Sequence, residues 1–391
     1  MAVVGRAPVT LSLAVFVISA AFAVYVLAGY PLLLDLRARR RAKPVQARRL
    51  DKTVTVLLAV HNGERWLAGK LRSLLALDYP RGLVQILVIS DGSTDRTDEI
   101  ARQFSDQGVD LIRVPGAGKA AALNAGLERA SGEILFFTDV RQLLAPESLR
   151  HLVAAFADPD VGVVSGELVI ADGRTREELN TGLYWRYEKW IRRRQSLIDS
   201  VIGATGAIYA MRSSLARPLP PQALLDDVHL PLGAFFSGYR VVWDDKARAF
   251  DQPTSLRQEF RRKVRTQAGV YQILLAWPQL LGPGNRMWLD FVSHKLGRLL
   301  LPFALITAAL ATLAGLPHAW AHLAASAQGV GYGLALADMA IPEGWPLKRA
   351  TAPFRAMLVL VAAAFCGASI LLRPDGDFWR RRHGVAAGGT T

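Results

Sequence analysis

Three polar residues each follow a short apolar run, at a point where a buried strand is expected to end. They are His61 after residues 54–60, Asp91 after residues 85–90 and Asp139 after residues 134–138. In an open α/β sheet, ligands bind in the crevice beyond the carboxyl ends of the strands. A carboxylate there can accept hydrogen bonds from ribose hydroxyls or a base N–H group. The three side chains therefore predict a nucleotide-binding crevice.

The apolar runs alternate with segments of helical periodicity. Residues 54–60 are rich in β-branched side chains, which suits a strand buried on both faces. Leucines at 67, 71, 74 and 75 then recur at helical spacing. Further strands are predicted at 85–90, 111–114 and 134–138, and further helices at 96–104 and 118–130. This alternation predicts a mainly parallel sheet covered by helices.

A second acidic site, Asp226-Asp227, lies where the alternation has ended. A positioned carboxylate can take a proton from a hydroxyl group. An acidic pair also suits the start of a helix, and one residue can serve both purposes. Asp91 has a similar alternative, because Asp91-Gly92-Ser93 is a common turn sequence.

Apolar runs predict membrane spans at both ends of the chain. Hydrophobic residues make up 51% of the sequence, and uncharged runs occupy residues 7–34, 299–316 and 356–372. The first run exceeds the ~20 residues that cross a bilayer. Ala21-Phe22-Ala23 within it resembles a signal-peptide cleavage site, but the run continues to residue 34, so we expect an anchor. Residues 322–341 are a weaker candidate, because Asp338 interrupts them.

The net charge of +14 does not indicate nucleic-acid binding, because basic residues cluster beside the predicted spans. Eight Lys and Arg residues between positions 37 and 52 follow the first span. Such a cluster marks the cytosolic side of a membrane and attracts anionic lipid headgroups. Residues 37–295 are therefore predicted to lie in the cytosol. The lone Cys366 excludes an intrachain disulfide framework and a multi-cysteine zinc site.

The topology of the C-terminal spans has two readings. Lys348, Arg349 and Arg355 favour a cytosolic position, which requires residues 322–341 to span the membrane. The arginines at 380–382 also favour the cytosol, yet the last span would then place them outside. Either one segment is re-entrant or interfacial, or the charge rule fails here.

Seven sequence segments, taken in order, resemble the motifs of family 2 glycosyltransferases, specifically the membrane-bound, cellulose-synthase-like branch. They are VTVLLAVHNGERWL (54–67), ILVISDGSTDRT (86–97), GKAAALNAG (118–126), ILFFTDVRQ (134–142), GATGAIYAMR (203–212), LLDDVHLPL (224–232) and RRKVR (261–265). The resemblance covers residues 53–295 and extends to the flanking spans. It implies a GT-A (nucleotide-diphospho-sugar transferase) domain with a mainly parallel sheet, plus N- and C-terminal transmembrane helices.

The resemblance also implies how the donor binds. Asp91 is expected to contact the nucleotide, with His61 and Lys119 as further donor-binding residues. The family usually has Asp-x-Asp where this chain has Asp139-Val140-Arg141, and it uses that motif to hold Mg²⁺ or Mn²⁺ against the donor diphosphate. Either Asp139 alone serves the metal, or Arg141 pairs with phosphate directly.

On the acceptor side, the resemblance assigns the general base to Asp227, with Asp226 as its support. The base takes a proton from the acceptor hydroxyl as that hydroxyl attacks the anomeric carbon. The loop that contains Thr205 and Gly206 is expected to hold the acceptor near the base. Gly206 would let a sugar approach the backbone closely, although an ordinary turn also explains this glycine.

Arg262 and Arg265 lie where processive members carry Gln-x-x-Arg-Trp. Arg265 matches the arginine, while Arg262 replaces Gln and Thr266 replaces Trp. The missing Trp removes a stacking platform for a growing chain. Both arginines are predicted to bind the donor diphosphate, where charge develops as it departs. A basic face that lies on lipid headgroups is the alternative.

The sequence thus predicts a multi-pass protein of the plasma or inner membrane that transfers a sugar, with inversion, from a nucleotide-sugar to a glycan or lipid acceptor at the cytosolic face. Membrane lipids are expected partners and nucleic acid is not. The expected regions are an anchor (1–36), the GT-A domain (53–255), an amphipathic interfacial segment (256–295), two or three spans (296–373) and a basic tail (374–391). A catalytically inactive scaffold of the same fold is the alternative, but a scaffold needs no base such as Asp227.

Overall fold

The computed structural model describes residues 6–170, 176–252, 256–342 and 345–372. The predicted basic tail, including the arginines at 380–382, lies outside the described residues.

One eight-stranded sheet organises the catalytic part of the chain. Its strands are β1 (Val54–Val60), β2 (Val84–Asp91), β3 (Val109–Val114), β4 (Ile134–Phe137), β5 (Leu143–Leu144), β6 (Val161–Ile170), β7 (Tyr209–Arg212) and β8 (Arg240–Asp251), in the order β3-β2-β1-β4-β7-β6-β8-β5. The first four in chain order are mutually parallel, and β6 is parallel to β8. β7 is antiparallel to both β4 and β6, and β5 is antiparallel to β8. The prediction of a mainly parallel sheet is confirmed.

Helices cover both faces of the sheet. They are α3 (Glu64–Leu75), α4 (Thr97–Arg102), α5 (Lys119–Arg129), α6 (Ser148–Ala154) and α8 (Asp226–Phe236), which follow α1 and α2 described below. The apolar residues of β1 alternate between two core clusters. Val56 and Leu58 pack on one face with Leu67 and Leu71 of α3. Leu57 packs on the other face with α5. A strand buried on both faces is what its continuous apolar run predicted.

Long helices connect this sheet to the apolar ends of the chain. They are α1 (Arg6–Val24), α2 (Tyr30–Arg40), α7 (Arg176–Ile198), α9 (Leu256–Ala276), α11 (Gly297–Ala314), α12 (Ala319–Ala340) and α13 (Pro346–Gly367), with the short α10 (Trp288–Asp290) before α11. Within the predicted interfacial segment 256–295, α9 ends at Ala276 and short helical turns follow it.

Three helical segments in the described residues are long and apolar enough to cross a membrane: Leu11–Arg40, Trp288–Ala314 and Ala350–Leu371. The weaker run at 322–341 forms α12 but is not one of these three. The first segment is tied to the second, because Arg37 Nη1 donates to both carboxylate oxygens of Asp290 at 2.9 Å. Tyr30 also donates to Asp290, at 3.1 Å. These bonds join the first segment to the start of the second.

The last segment runs back toward the catalytic part. A Cβ added to Gly367, at the end of α13, would lie 2.9 Å from the backbone nitrogen of Ala268 on α9. Phe365 contacts Phe303 in the first half of α11, with ring centroids 5.9 Å apart. At the opposite end of α13, Lys348 and Arg355 lie 3.4 and 3.0 Å from Asp338 Oδ2 of α12. The basic residues of α13 are therefore on the end farther from the catalytic part.

Candidate active site

The acidic pair Asp226-Asp227 forms the first turn of α8. Asp227 Oδ2 accepts a hydrogen bond from the backbone N–H of Gly206 at 3.0 Å, and Asp227 O accepts one from Ala204 N at 2.6 Å. The predicted acceptor loop is therefore bonded directly to the predicted base. A Cβ at Gly206 would lie 3.0 Å from Asp227 Oδ2, so the glycine permits this approach.

Lys119, the first residue of α5, joins two of the predicted site carboxylates. Its Nζ lies 2.9 Å from Asp139 Oδ1 and 3.0 Å from Asp226 Oδ1. Asp139 lies two residues beyond the end of β4, whereas Asp226 begins α8. The lysine thus holds the strand end and the acidic pair together, a contact that the motif order alone did not specify.

The charges in this cluster shift one another's protonation. Burial and the neighbouring Asp226 carboxylate raise the pKa of Asp227 to about 6. Burial alone would lower the pKa of Lys119, but Asp139 and Asp226 outweigh it and raise that pKa overall. Burial would raise the pKa of Asp139, but the Lys119 ammonium lowers it. At neutral pH the cluster holds an ionised Asp139, a charged Lys119 and a carboxylate, Asp227, that is poised to accept a proton.

His61 and Asp91 meet at the ends of β1 and β2. The backbone oxygen of Asp91 lies 2.6 Å from His61 Nδ1, and Asp91 Oδ1 accepts a hydrogen bond from Gly118 N at 3.2 Å. Gly118 has a φ of +95°, a conformation that favours glycine, and it directly precedes Lys119. These contacts bring the predicted nucleotide side of the site next to the Lys119 cluster.

The guanidinium group of Arg141 pairs with a carboxylate of the protein. Its Nη2 forms an ion pair with Asp251, at the end of β8, and Gln142 Nε2 donates to the same carboxylate oxygen at 3.0 Å. Arg262 Nη2 lies 3.8 Å from that oxygen as well. Arg141 was one of two candidates for pairing with the donor phosphate. In the structure its partner is the Asp251 carboxylate.

The helix that carries Arg262 and Arg265 packs on the residue before the acidic pair. A Cβ at Gly269 of α9 would lie 2.4 Å from Leu225 Cγ. Arg262 belongs to the Asp251 cluster, whereas the positive charge of Arg265 helps lower the pKa of Asp139. Arg265 therefore acts electrostatically on the Lys119 cluster. Arg262, three residues earlier on the same helix, lies beside Asp251 instead.

The sequence reasoning missed Lys70, a fully buried residue of α3. Its ammonium donates to Thr138 Oγ1 at 2.7 Å and to the Gln142 carbonyl at 2.6 Å, and Thr138 Oγ1 donates to the Ala207 carbonyl at 2.7 Å. Burial lowers the pKa of Lys70 to about 7. Lys70 therefore fixes the loop that contains Asp139. Its place on the apolar face of α3, three residues after Leu67 and four before Leu74, was a signal that could have found it.

One carboxylate of the site, that of Asp139, suits a divalent cation. The described residues include no group of three or more His, Cys, Asp or Glu side chains that could hold a metal. Mg²⁺ needs fewer, because it is commonly bound by one or two carboxylates together with substrate phosphates and water. Asp139 is ionised and its side chain is 39% exposed, so it fits the role of a single protein ligand completed by a donor diphosphate.

Comparisons with known proteins agree with this fold and these motifs. The family described as "Glycosyl transferase family 2" matches residues 55–217, and "Glycosyl transferase family group 2" matches residues 139–365, which is more than half of the chain. The chain belongs to the glycosyl transferase family group 2. The predicted relationship to family 2 glycosyltransferases is thereby confirmed, while its placement in the cellulose-synthase-like branch stays a prediction.

Among curated proteins, the chain is similar to a probable glycosyltransferase, YdaM, of Bacillus subtilis, with 25% identity over 57% of this chain and 56% of that protein. An N-acetylglucosaminyltransferase of Rhizobium meliloti is 27% identical over 68% of this chain and 67% of its own length. A poly-beta-1,6-N-acetyl-D-glucosamine synthase of Staphylococcus aureus is 26% identical over 57% of this chain and 55% of its own. The matched region thus spans about half to two thirds of these relatives.

Among solved structures, the mannosyltransferase PcManGT from Pyrobaculum calidifontis, in complex with GDP-Man and Mn²⁺, has a TM-score of 0.74 and 24% identity. It covers 93% of this chain, and the match covers 100% of that chain. This likeness confirms the predicted GT-A fold, including the helices that flank the sheet.

Proposed function

We propose that this protein is an inverting glycosyltransferase that moves a sugar from a nucleotide-sugar onto an acceptor hydroxyl at a membrane. The observation that carries the proposal is Asp227, a carboxylate with a raised pKa that is hydrogen-bonded to the acceptor loop and adjacent to the Lys119 cluster. The transferase names of the curated relatives support the same activity. We place the chain in the membrane-bound, cellulose-synthase-like branch.

In the proposed reaction, Asp227 takes the proton of the acceptor hydroxyl as the hydroxyl oxygen attacks the anomeric carbon. The bond between that carbon and the donor phosphate oxygen breaks, and the diphosphate leaves with the electron pair. Attack from the side opposite the diphosphate inverts the anomeric centre. Asp226 holds Lys119 at 3.0 Å, so the acidic pair couples the base to the cation that faces the leaving group.

The donor is held by residues on the sheet side of the cluster. His61 and Asp91 are proposed to bind the nucleotide, and Lys119 and Arg265 to bind the diphosphate. Arg262 contributes through its place in the Asp251 cluster. Mg²⁺ or Mn²⁺ held by Asp139 would neutralise charge on the diphosphate, a role supported by the Mn²⁺ in the structurally similar mannosyltransferase.

We further propose that the membrane topology has three spans, with the catalytic domain and the C-terminus in the cytosol of a plasma or inner membrane. The Lys and Arg residues that follow the first span support the cytosolic domain. The contact between Gly367 and α9 supports a last span that returns to this side. α12 then connects the second and third spans on the opposite side, where Asp338 pairs with both Lys348 and Arg355. The proposed regions remain 1–36, 53–255, 256–295, 296–373 and 374–391.

The replacement of the second motif carboxylate by Arg141 favours one other candidate, an inactive scaffold of the same fold. Asp251 compensates the charge of Arg141, however, so the substitution leaves the Lys119 cluster intact. A scaffold also has no use for a buried acidic pair that raises the pKa of one member.

The two candidates separate in a screen of nucleotide-sugars with the full-length protein in lipid nanodiscs. The readout is release of nucleoside diphosphate. A transferase releases nucleoside diphosphate with at least one donor, and the release falls sharply in an Asp227→Asn variant. Donor binding without any release would favour the scaffold, whereas equal release by both proteins would contradict the role of Asp227 as the base.

A further inference from the structure

The acceptor loop is bonded to the proposed base on both sides of Thr205. Ala204 N donates to the backbone carbonyl of Asp227 at 2.6 Å. Gly206 N donates to Asp227 Oδ2 at 3.0 Å, and this bond fixes the orientation of the carboxylate. Since Thr205 lies between the two donors, a displacement of Thr205 would also displace the base.

Thr205 is itself held by two other elements of the fold. Its backbone N–H donates to Ser165 Oγ, on β6, at 2.9 Å. Its hydroxyl oxygen accepts a hydrogen bond from Arg192 Nη1, on α7, at 2.7 Å. Ser165 is fully buried in the sheet, whereas Arg192 is half-buried. The bond from Arg192 therefore brings a positive charge to the acceptor loop from a helix outside the sheet.

The helix that carries Arg192 is fastened to the first candidate span. Gln195 Nε2 donates to Tyr30 Oη at 2.9 Å, and both of these side chains are buried. Arg194 Nε donates to Asp35 Oδ1, also at 2.9 Å. Arg192 lies within one helical turn of Arg194 and Gln195. It thus reaches the acceptor loop from a part of α7 that is fixed in place.

The guanidinium group of Arg192 also acts on Asp227 electrostatically. Its positive charge lowers the pKa of Asp227, in opposition to burial and to Asp226, which raise that pKa. A cation favours the ionised form of a nearby carboxyl group, and the ionised form is the one that can accept a proton. The other charged groups that act on the Asp227 carboxylate are Asp226, Asp139, Lys119 and Lys295.

We propose that Arg192 is a positioning residue for the base: through Thr205 it holds the acceptor loop, and with it the Asp227 carboxylate, in place to receive the acceptor hydroxyl. No bond is made or broken at Arg192. Because α7 is fastened to the first candidate span, the same contact connects the base to the membrane-facing part of the chain. This inference rests on the proposed function and adds a residue on which that function depends.

The two partners of the hydrogen bond are tested first, with the full-length protein in lipid nanodiscs and a donor that the parent protein uses. Arg192→Met and Thr205→Val should each lower kcat by about tenfold, the typical effect of losing one hydrogen bond to a charged group. The KM for the donor should not change. The double variant should be little worse than either single variant, because both remove the same bond. Arg193→Gln, which alters an exposed arginine on the same helix, is the matched control and should retain the parent kcat.

The pH dependence of the reaction separates positioning of the base from a general structural role. Without the charge of Arg192 the pKa of Asp227 rises, so the acid limb of the kcat/KM profile should move to higher pH in Arg192→Met. Arg192→Lys keeps the charge and a donor, and it should restore most of the parent profile.

Thermal unfolding measures the same coupling without any activity. Arg192→Met should lose more stability at pH 7.5 than at pH 5, because Asp227, with a pKa of about 6, is ionised in the fold at the higher pH and mostly protonated at the lower. The effect of Arg192→Met should become independent of pH when Asp227→Asn is also present.

Four results would overturn the proposal. They are an unchanged kcat in Arg192→Met, an acid limb that stays in place while kcat falls, additive losses in the double variant, and a pH-dependent effect of Arg192→Met that persists beside Asp227→Asn. If Arg192→Met does not fold, Thr205→Val and Arg192→Lys still test the bond. Nucleoside diphosphate release by the parent protein tests the proposed function, whereas the unfolding comparison needs no turnover, so the two can fail separately.

Discussion

Replacing Asp227 by Asn should abolish transfer and stabilise the fold at the same time. The amide has nearly the same shape and can still accept the hydrogen bond from Gly206 N, which is 3.0 Å long in the parent protein. It cannot take the acceptor proton, and a general base typically contributes ~10²–10⁴-fold in rate. The turnover number should fall by about that factor while the donor still binds.

The stability gain follows from the raised pKa. The pKa of Asp227 rises from 3.8 to about 6, so the folded state binds this proton more tightly than the unfolded state does. Ionisation of Asp227 therefore costs stability progressively as the pH rises from about 4 to about 6, and the cost persists above that range. About 2 pH units correspond to ~3 kcal/mol, which partial exposure of the side chain reduces to about 1–2 kcal/mol. The neutral Asn avoids this cost.

The assay is thermal unfolding at pH 7.5 and pH 5, together with turnover at pH 7.5. The variant should unfold at a higher temperature than the parent at pH 7.5. The difference should shrink at pH 5, where Asp227 is mostly protonated in the folded state and ionised only in the unfolded chain, so that only part of the cost is present. Asp110→Asn, a change at an exposed carboxylate on β3, is the matched control and should alter neither property. Near-normal turnover in Asp227→Asn, or a loss of stability at both pH values, would refute the reasoning.

Three further changes probe other parts of the site. Lys70→Met should lower the free energy of unfolding by about 1–3 kcal/mol at pH 10, where the lowered pKa of Lys70 costs little stability and Thr138 and the Gln142 carbonyl lose a buried donor; chemical denaturation followed by tryptophan fluorescence measures it, and an unchanged midpoint would contradict the role of Lys70. Asp139→Ala should remove the part of donor binding that depends on Mn²⁺, as measured by donor titrations with and without the metal; equal binding by the parent under both conditions would indicate that Lys119 and Arg265 hold the diphosphate without a cation. In a Cys366→Ser background, Ser105→Cys should resist impermeant thiol reagents in intact cells, whereas Leu316→Cys, between α11 and α12, should react; the reverse pattern would invert the topology.

The first half of the sheet was predictable because its signals are local. The apolar runs of β1, β2 and β4 are continuous, and the intervening helices show clear periodicity, so the elements were located to within a few residues. β6 and β8 were not predicted. β8 pairs with β6 across about 80 residues of chain, as in the Val164–Val242 pair, and neither periodicity nor a short motif indicates such a partner.

For the candidate site too, the sequence indicated individual residues but not the long-range contacts between them. The motif order proposed Asp227, Asp139 and Lys119 as site residues, and the structure brings Lys119 into contact with Asp139 and with Asp226 of the acidic pair. It could not show that Arg141 pairs with Asp251, 110 residues away, or that Arg192 reaches Thr205. Those contacts depend on how β8 and α7 pack against the sheet, which only the folded chain reveals.

The anomeric configuration of the product tests the central claim most directly. Once a donor is found, the linkage formed by the full-length protein can be determined by NMR, with nucleoside diphosphate release measured in the same reaction. A single displacement assisted by Asp227 predicts that an α-linked nucleotide-sugar gives a β-linked product, with one nucleoside diphosphate released for each sugar transferred. A product that retains the configuration of the donor would contradict the assignment of Asp227 as the general base of an inverting transferase.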